Sequence, residues 1–156
     1  MRGRPIAVVV AVALIASGIA VFALVLARGG GGDGRLTRAS YLARVSAICQ
    51  SAGAKLDRVP PIEDPTQLGV VIASVDAALP ILRDQRDRAR ALLPPLALRR
   101  EVSRFLALTD SSLETLASVK QAAEKMNVGN VAIGLERFGA ETTAAKLIAR
   151  RIGYRC

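Results

Sequence analysis

The chain has 156 residues, enough for one modest domain plus a targeting segment. Its 22 Lys and Arg outnumber 13 Asp and Glu, and it has no histidine. That absence removes His-based triads, imidazole metal ligands and the commonest general base. A net charge of +9 invites nucleic acid, but aromatics make up only 3% of the residues. Few rings are left to stack bases, so no nucleic-acid partner is expected. Only four of the basic residues are lysine (Lys55, Lys120, Lys125 and Lys146). The Arg, Ala, Val and Gly bias is that of a GC-rich bacterial genome.

Residues 1–5 carry Arg2 and Arg4 and read as a short cytoplasmic tail. Ile6 to Ala27 is a run of 22 residues with no charge and no strong helix breaker. A bilayer core needs about 20 apolar residues as a helix, so residues 6–27 read as a transmembrane anchor. A cleaved signal peptide is the rival reading, since Val25-Leu26-Ala27 resembles a cleavage site. Its apolar core would ordinarily be only about 7–15 residues long, however. No cysteine follows the run, which excludes a lipoprotein. Basic residues flank both sides, so the positive-inside rule decides little. The short tail places the N-terminus in the cytoplasm and the rest outside it. The glycine-rich residues 28–35, with RGGGGDG at Arg28 to Gly34, read as a linker.

The remaining domain, residues 36–156, shows apolar residues at helical rather than alternating spacing. The first helix is expected to open at Thr37 as N-cap and to align Tyr41, Val45, Ile48, Ala52 and Leu56 before Pro60-Pro61. The second is expected from Asp64-Pro65-Thr66 through Leu68, Val71, Val75, Leu79, Leu82, Arg86 and Ala89 to Leu93, kinked at Pro80 and stopped at Pro94-Pro95. The third carries Val102, Phe105, Leu106, Thr109, Leu113, Leu116 and Val119, and fades near Met126. Asn127 to Asn130 is expected to form a turn. A fourth helix follows to Ile152, with Val131, Leu135, Phe138, Thr142, Ala145 and Ile148 inward and Gly153 as a left-handed stop. The expected fold is all-α: an N-terminal transmembrane helix, then an up-down four-helix bundle closed by one disulfide.

Cys49 and Cys156 are the only two cysteines. In an exported chain they read as a disulfide pinning the last helix to the first. The alternative is a buried Cys49 and an unrelated terminal thiol. The segments T-R-A-S-Y-L-A-R-V-S-A-I-C-Q (Thr37 to Gln50), Leu93-Pro94-Pro95 and I-G-Y-R-C (Ile152 to Cys156) resemble a group of short, uncharacterised actinobacterial envelope proteins. The resemblance covers the exported domain. It implies a helical fold and the Cys49–Cys156 bond, and it brings no activity and no site residues.

The remaining chemistry is sparse. GGGGDG lacks the lysine and the helix-opening context of a phosphate loop. Glu114, Glu124, Glu136 and Glu141 lack the histidine partners of a bundle metal site and read as solvated. No cofactor, metal or enzymatic activity is expected. The one unusual surface feature is arginine around the second interhelical turn. Arg83, Arg86, Arg90, Arg99, Arg100 and Arg104 are candidate contacts for anionic headgroups, because that turn should return to the membrane-proximal end. The expected function is an anchored extracytoplasmic module that docks an envelope protein or the membrane surface. The alternative is a small-molecule or lipid-binding bundle. A closed core with an exposed apolar stripe would favour the first, and a large internal apolar cavity the second.

Overall fold

The computed structural model describes residues 34–155. The tail, the anchor, most of the linker and Cys156 lie outside the described residues. Within that range the chain is all-helical: α1 (Arg38–Leu56), α2 (Leu68–Arg90), a short 3-10 turn (Leu96–Leu98), α3 (Arg99–Glu124) and α4 (Val128–Ile152). No described helix is long and apolar enough to cross a membrane.

Each helix begins and ends for a local reason. Thr37 caps α1, its Oγ1 accepting from the Ser40 amide at 3.2 Å. The start of α2 falls later than Asp64. The Asp64 carboxylate accepts from both the amide and the hydroxyl of Thr66, at 2.8 and 2.7 Å. That side-chain turn spends the capping group before Leu68 begins the helix. Pro80 sits inside α2 and the helix continues through it. Its exposed position leaves the freed carbonyl within reach of water.

The Asn127 to Asn130 turn is also corrected. Asn127 caps α4 by accepting from the Asn130 amide at 3.0 Å, so the helix starts at Val128. The left-handed residue of the connection is Met126 (φ 57°). Gly153 closes α4 at φ 99°, in the conformation expected of it.

Cross-helix pairs fix the alternating direction. The start of α2 meets the end of α3 through Asp76 and Lys120, 2.6 Å apart. The end of α2 meets the first half of α3, where Arg86 and Arg90 reach Asp110 at 2.7 and 2.5 Å. Backbone packing is strongest between chain neighbours, α1 on α2, α2 on α3 and α3 on α4. Contact is most extensive between α3 and α4, and at Gly134 the two helices approach too closely for a side chain. A Cβ there would lie 2.5 Å from Val119 Cγ2. Valine in a helix holds one strongly preferred rotamer and yields little. Gly134→Ala should therefore destabilise by about 1–2 kcal/mol, because overpacking outweighs the gain in helix propensity. Gly139 has open space around its missing Cβ, and Gly139→Ala should stabilise by about 0.5–1 kcal/mol. Thermal melts of the two variants should move in opposite directions.

The core divides in two. One cluster gathers Tyr41, Val45 and Cys49 of α1 with Val102, Ala149, Ile152 and Tyr154. The other joins Val71, Val75 and Leu79 of α2 to Leu113, Leu116, Val119 and Val131. In the first, the hydroxyls of Tyr41 and Tyr154 lie 2.8 Å apart, and Phe105 meets the Tyr154 ring edge-on with centroids 5.3 Å apart.

Burial raises the Tyr154 pKa, as do its hydrogen bond with Tyr41 and the charge of Tyr41; burial raises Tyr41, partly offset by the hydrogen bond with Tyr154. Above pH ~10 unfolded tyrosines ionise while these two hold their protons. Stability is then complete below pH ~10 and falls as pH rises through the folded pKa values. Melting temperature followed from pH 8 upward should drop past that point, and less steeply in Tyr41→Phe.

Candidate functional site

An apolar cavity of about 580 Å³ lies between the two core clusters and draws on all four helices. It is lined by Phe105, Leu113 and Leu116 of α3, Val45, Ile48 and Cys49 of α1, Leu135 and Phe138 of α4, and Ala78 and Leu82 of α2. The connection after α1 contributes Pro60 and Ile62 at the far end. Small residues line the cavity: Ala78, Ala89, Ala145 and Ala149 border it, and alanine leaves volume that leucine would fill. In α4 no residue between Val131 and Ala145 is fully buried. Leu135 and Phe138 in the middle of that helix pack against the second cluster but are only partly covered.

The polar side chains on the wall are already engaged. Ser74 Oγ donates to the Pro60 carbonyl at 2.8 Å, Thr109 Oγ1 to Phe105 at 2.9 Å, and Ser112 Oγ to Thr109 at 2.9 Å. Thr142 Oγ1 donates to the Phe138 carbonyl at 2.9 Å, and Gln85 Nε2 to Cys49 Sγ at 3.5 Å. A hydroxyl with its proton committed offers a guest little, so the wall behaves as hydrocarbon. Arg86 is held by Asp110, whose hydrogen bond is the largest influence raising the already high guanidinium pKa. Lys146, exposed at the rim, has no carboxylate partner among the described residues.

The magnitude matters. At about 24 cal/mol per Å³, an enclosed void of this volume would cost on the order of 10 kcal/mol, comparable to a whole domain's stability. The half-buried state of Leu82, Leu135 and Phe138 shows that the cavity opens to one side instead. Water there would find almost no partners.

Arg83, Arg86, Arg90, Arg99, Arg100 and Arg104 do not form one surface. Arg83, Arg86 and Arg90 share a face of α2, as their spacing requires, and that face is turned toward Asp110 and Glu114 of α3. Arg86 and Arg90 both bind Asp110, a partner outside the local run of charges. Arg99, Arg100 and Arg104 are exposed at the start of α3, where Arg100 lies 3.7 Å from Glu101.

Glu141 is a second correction. Its side chain is only 13% exposed, and it accepts from Ser111 Oγ at 2.7 Å and Arg137 Nε at 3.0 Å. Burial raises its pKa, but hydrogen bonds from Ser111, Arg137 and Thr115 outweigh this and hold it below the ordinary carboxylate value. Glu141 is a structural strut between α3 and α4.

Cys49 is buried in the first cluster, and no described cysteine is a free thiol. No family model, curated protein or solved structure matches this chain.

Proposed function

We propose that this chain is a membrane-anchored, extracytoplasmic helical module of the bacterial envelope that binds a lipid-like small molecule, its apolar part inside the bundle. The observation that carries this reading is the cavity: roughly 580 Å³ of largely hydrocarbon-lined space whose serine, threonine and glutamine neighbours are already hydrogen-bonded. That volume lies within the range of about 300–1,000 Å³ typical of ligand sites. Lys146 at the rim suits a guest with an anionic end. Among the two functions the sequence suggests, protein docking or ligand binding, this geometry favours the second.

The topology rests on the apolar run at residues 6–27, which suits a bilayer span. Placement among the actinobacterial envelope proteins rests on the Thr37–Gln50, Leu93–Pro95 and Ile152–Cys156 segments. The disulfide between Cys49 and Cys156 belongs to the same reading. Tyr154 packs on Tyr41, and the Arg155 amide donates to Ser46 Oγ at 3.1 Å. The tail is thereby laid along α1 one turn from Cys49, and Cys156 is the only other cysteine in the chain.

Native mass spectrometry of the chain released from its own membranes tests the binding. A bound adduct of lipid mass, one per chain, is expected. A bare chain under conditions that preserve other lipid complexes would contradict it.

A further inference from the structure

The end of the bundle where the described chain begins differs from the other end in charge, and it exposes two leucines on one turn. Residues 34–36 join the fold at the α2–α3 connection. The Leu36 amide donates to the Leu93 carbonyl at 3.5 Å, and Arg35 Nη1 donates to that of Pro94 at 3.2 Å. Leu93, expected to continue the buried face of α2, instead lies beyond its end and is 51% exposed, and Leu96 is 67% exposed. Pro94 and Pro95 stand between them and fix the backbone, so two leucines project from a stiff turn with no helix to cover them.

Arginines surround that turn. Arg88 and Arg90 occupy the last turn of α2, Arg150 and Arg151 that of α4, and α3 opens on Arg99 and Arg100. The nearby acids are Asp84, paired with Arg88, Asp110, paired with Arg90, and Asp87 and Glu101, so the arginines still outnumber them. At the opposite end the charges are mixed, with Lys55, Arg58 and Lys125 beside Asp57, Glu63, Asp64 and Glu124. Distance points the same way. Ala27 ends the apolar run, and seven residues of extended chain reach at most about 25 Å to Gly34. The tether therefore keeps this end of the bundle within that distance of the bilayer.

We infer that the Leu93–Leu96 turn and its arginines form a docking face for the anionic surface of the chain's own membrane, seating the leucines at the level of the headgroups. This inference rests on the anchor in the reading above, but not on the cavity. Arginines near an anionic surface are attracted to phosphate, and small apolar side chains inserted beside them remove hydrocarbon from water. The docked bundle then stands end-on with its cavity a few turns above the lipid.

The chain has no tryptophan, so one introduced residue reports alone. Full-length Leu96→Trp would be reconstituted into nanodiscs of phosphatidylcholine containing phosphatidylglycerol, with brominated acyl chains as quencher. The expected result is blue-shifted emission, most of it lost to quenching. Ile133→Trp, 66% exposed in the first half of α4, should stay unquenched. Adding Arg99→Glu and Arg100→Glu should release the Leu96→Trp signal. Incorporated chain whose Leu96→Trp emission is unquenched would overturn docking alone, and point instead to a protein partner for this turn. Quenching that survives the charge reversal would also overturn it, as tryptophan's own affinity for the interface. Failure of the chain to co-elute with the discs would overturn the anchor and the docking together.

Discussion

Cys49→Ser should lower the melting temperature of the bundle by roughly 10–15 °C, the largest single-residue effect expected in this protein. The proposed bond to Cys156 closes a loop of about 100 residues, for which chain entropy gives about 4.7 kcal/mol, while measured bonds more often deliver 2–4. At this size each kcal/mol moves the midpoint by about 3–5 °C. The effect is large because extensive packing runs only between chain neighbours. What joins α1 to the end of α4 is the first core cluster, where Tyr41, Val45 and Cys49 meet Ala149, Ile152 and Tyr154, together with the Arg155–Ser46 hydrogen bond. Reduction of the wild type should reproduce the loss, and Cys156→Ser should match Cys49→Ser. A reductant-insensitive melt would remove the bond from the account.

The second large effect concerns the cavity. Ala78→Leu combined with Ala145→Leu places six extra carbon atoms into space bordered by Phe105, Leu113 and Phe138. In a filled core such additions cost about 1–3 kcal/mol. Here they meet open volume, so the variant should be more stable by about 0.5–2 kcal/mol, as cavity-filling changes commonly are. The same change should abolish binding of an acyl chain. Stability and binding therefore move in opposite directions, which distinguishes a filled site from a damaged one. A variant that melts earlier would show that these walls have no room.

How far the sequence reaches differs from residue to residue. The inward faces are legible from spacing. Tyr41, Val45 and Ile48 are buried as their periodicity requires, and so are Leu113, Leu116 and Val119. Thr37 and Gly153 act as the caps their chemistry suggests. Errors arise where one residue had two local uses. Asp64 turns back onto Thr66 instead of opening the helix, and Asn127 caps α4 and leaves the left-handed position to Met126. Tertiary pairing is hidden altogether. Nothing within a turn of Arg86 or Arg90 announces Asp110, and nothing near Glu141 announces Ser111, thirty positions away. The cavity is hidden for the same reason. Periodicity tells which side chains point inward, but not whether facing alanines meet.

Isothermal titration of myristate into residues 34–156, compared with the Ala78→Leu/Ala145→Leu variant, tests the binding claim most directly. Saturation at one myristate per chain is expected in the wild type, with the negative heat-capacity change of apolar burial, and no heat of binding in the variant. Equal heats in both proteins, or none in either, would contradict it.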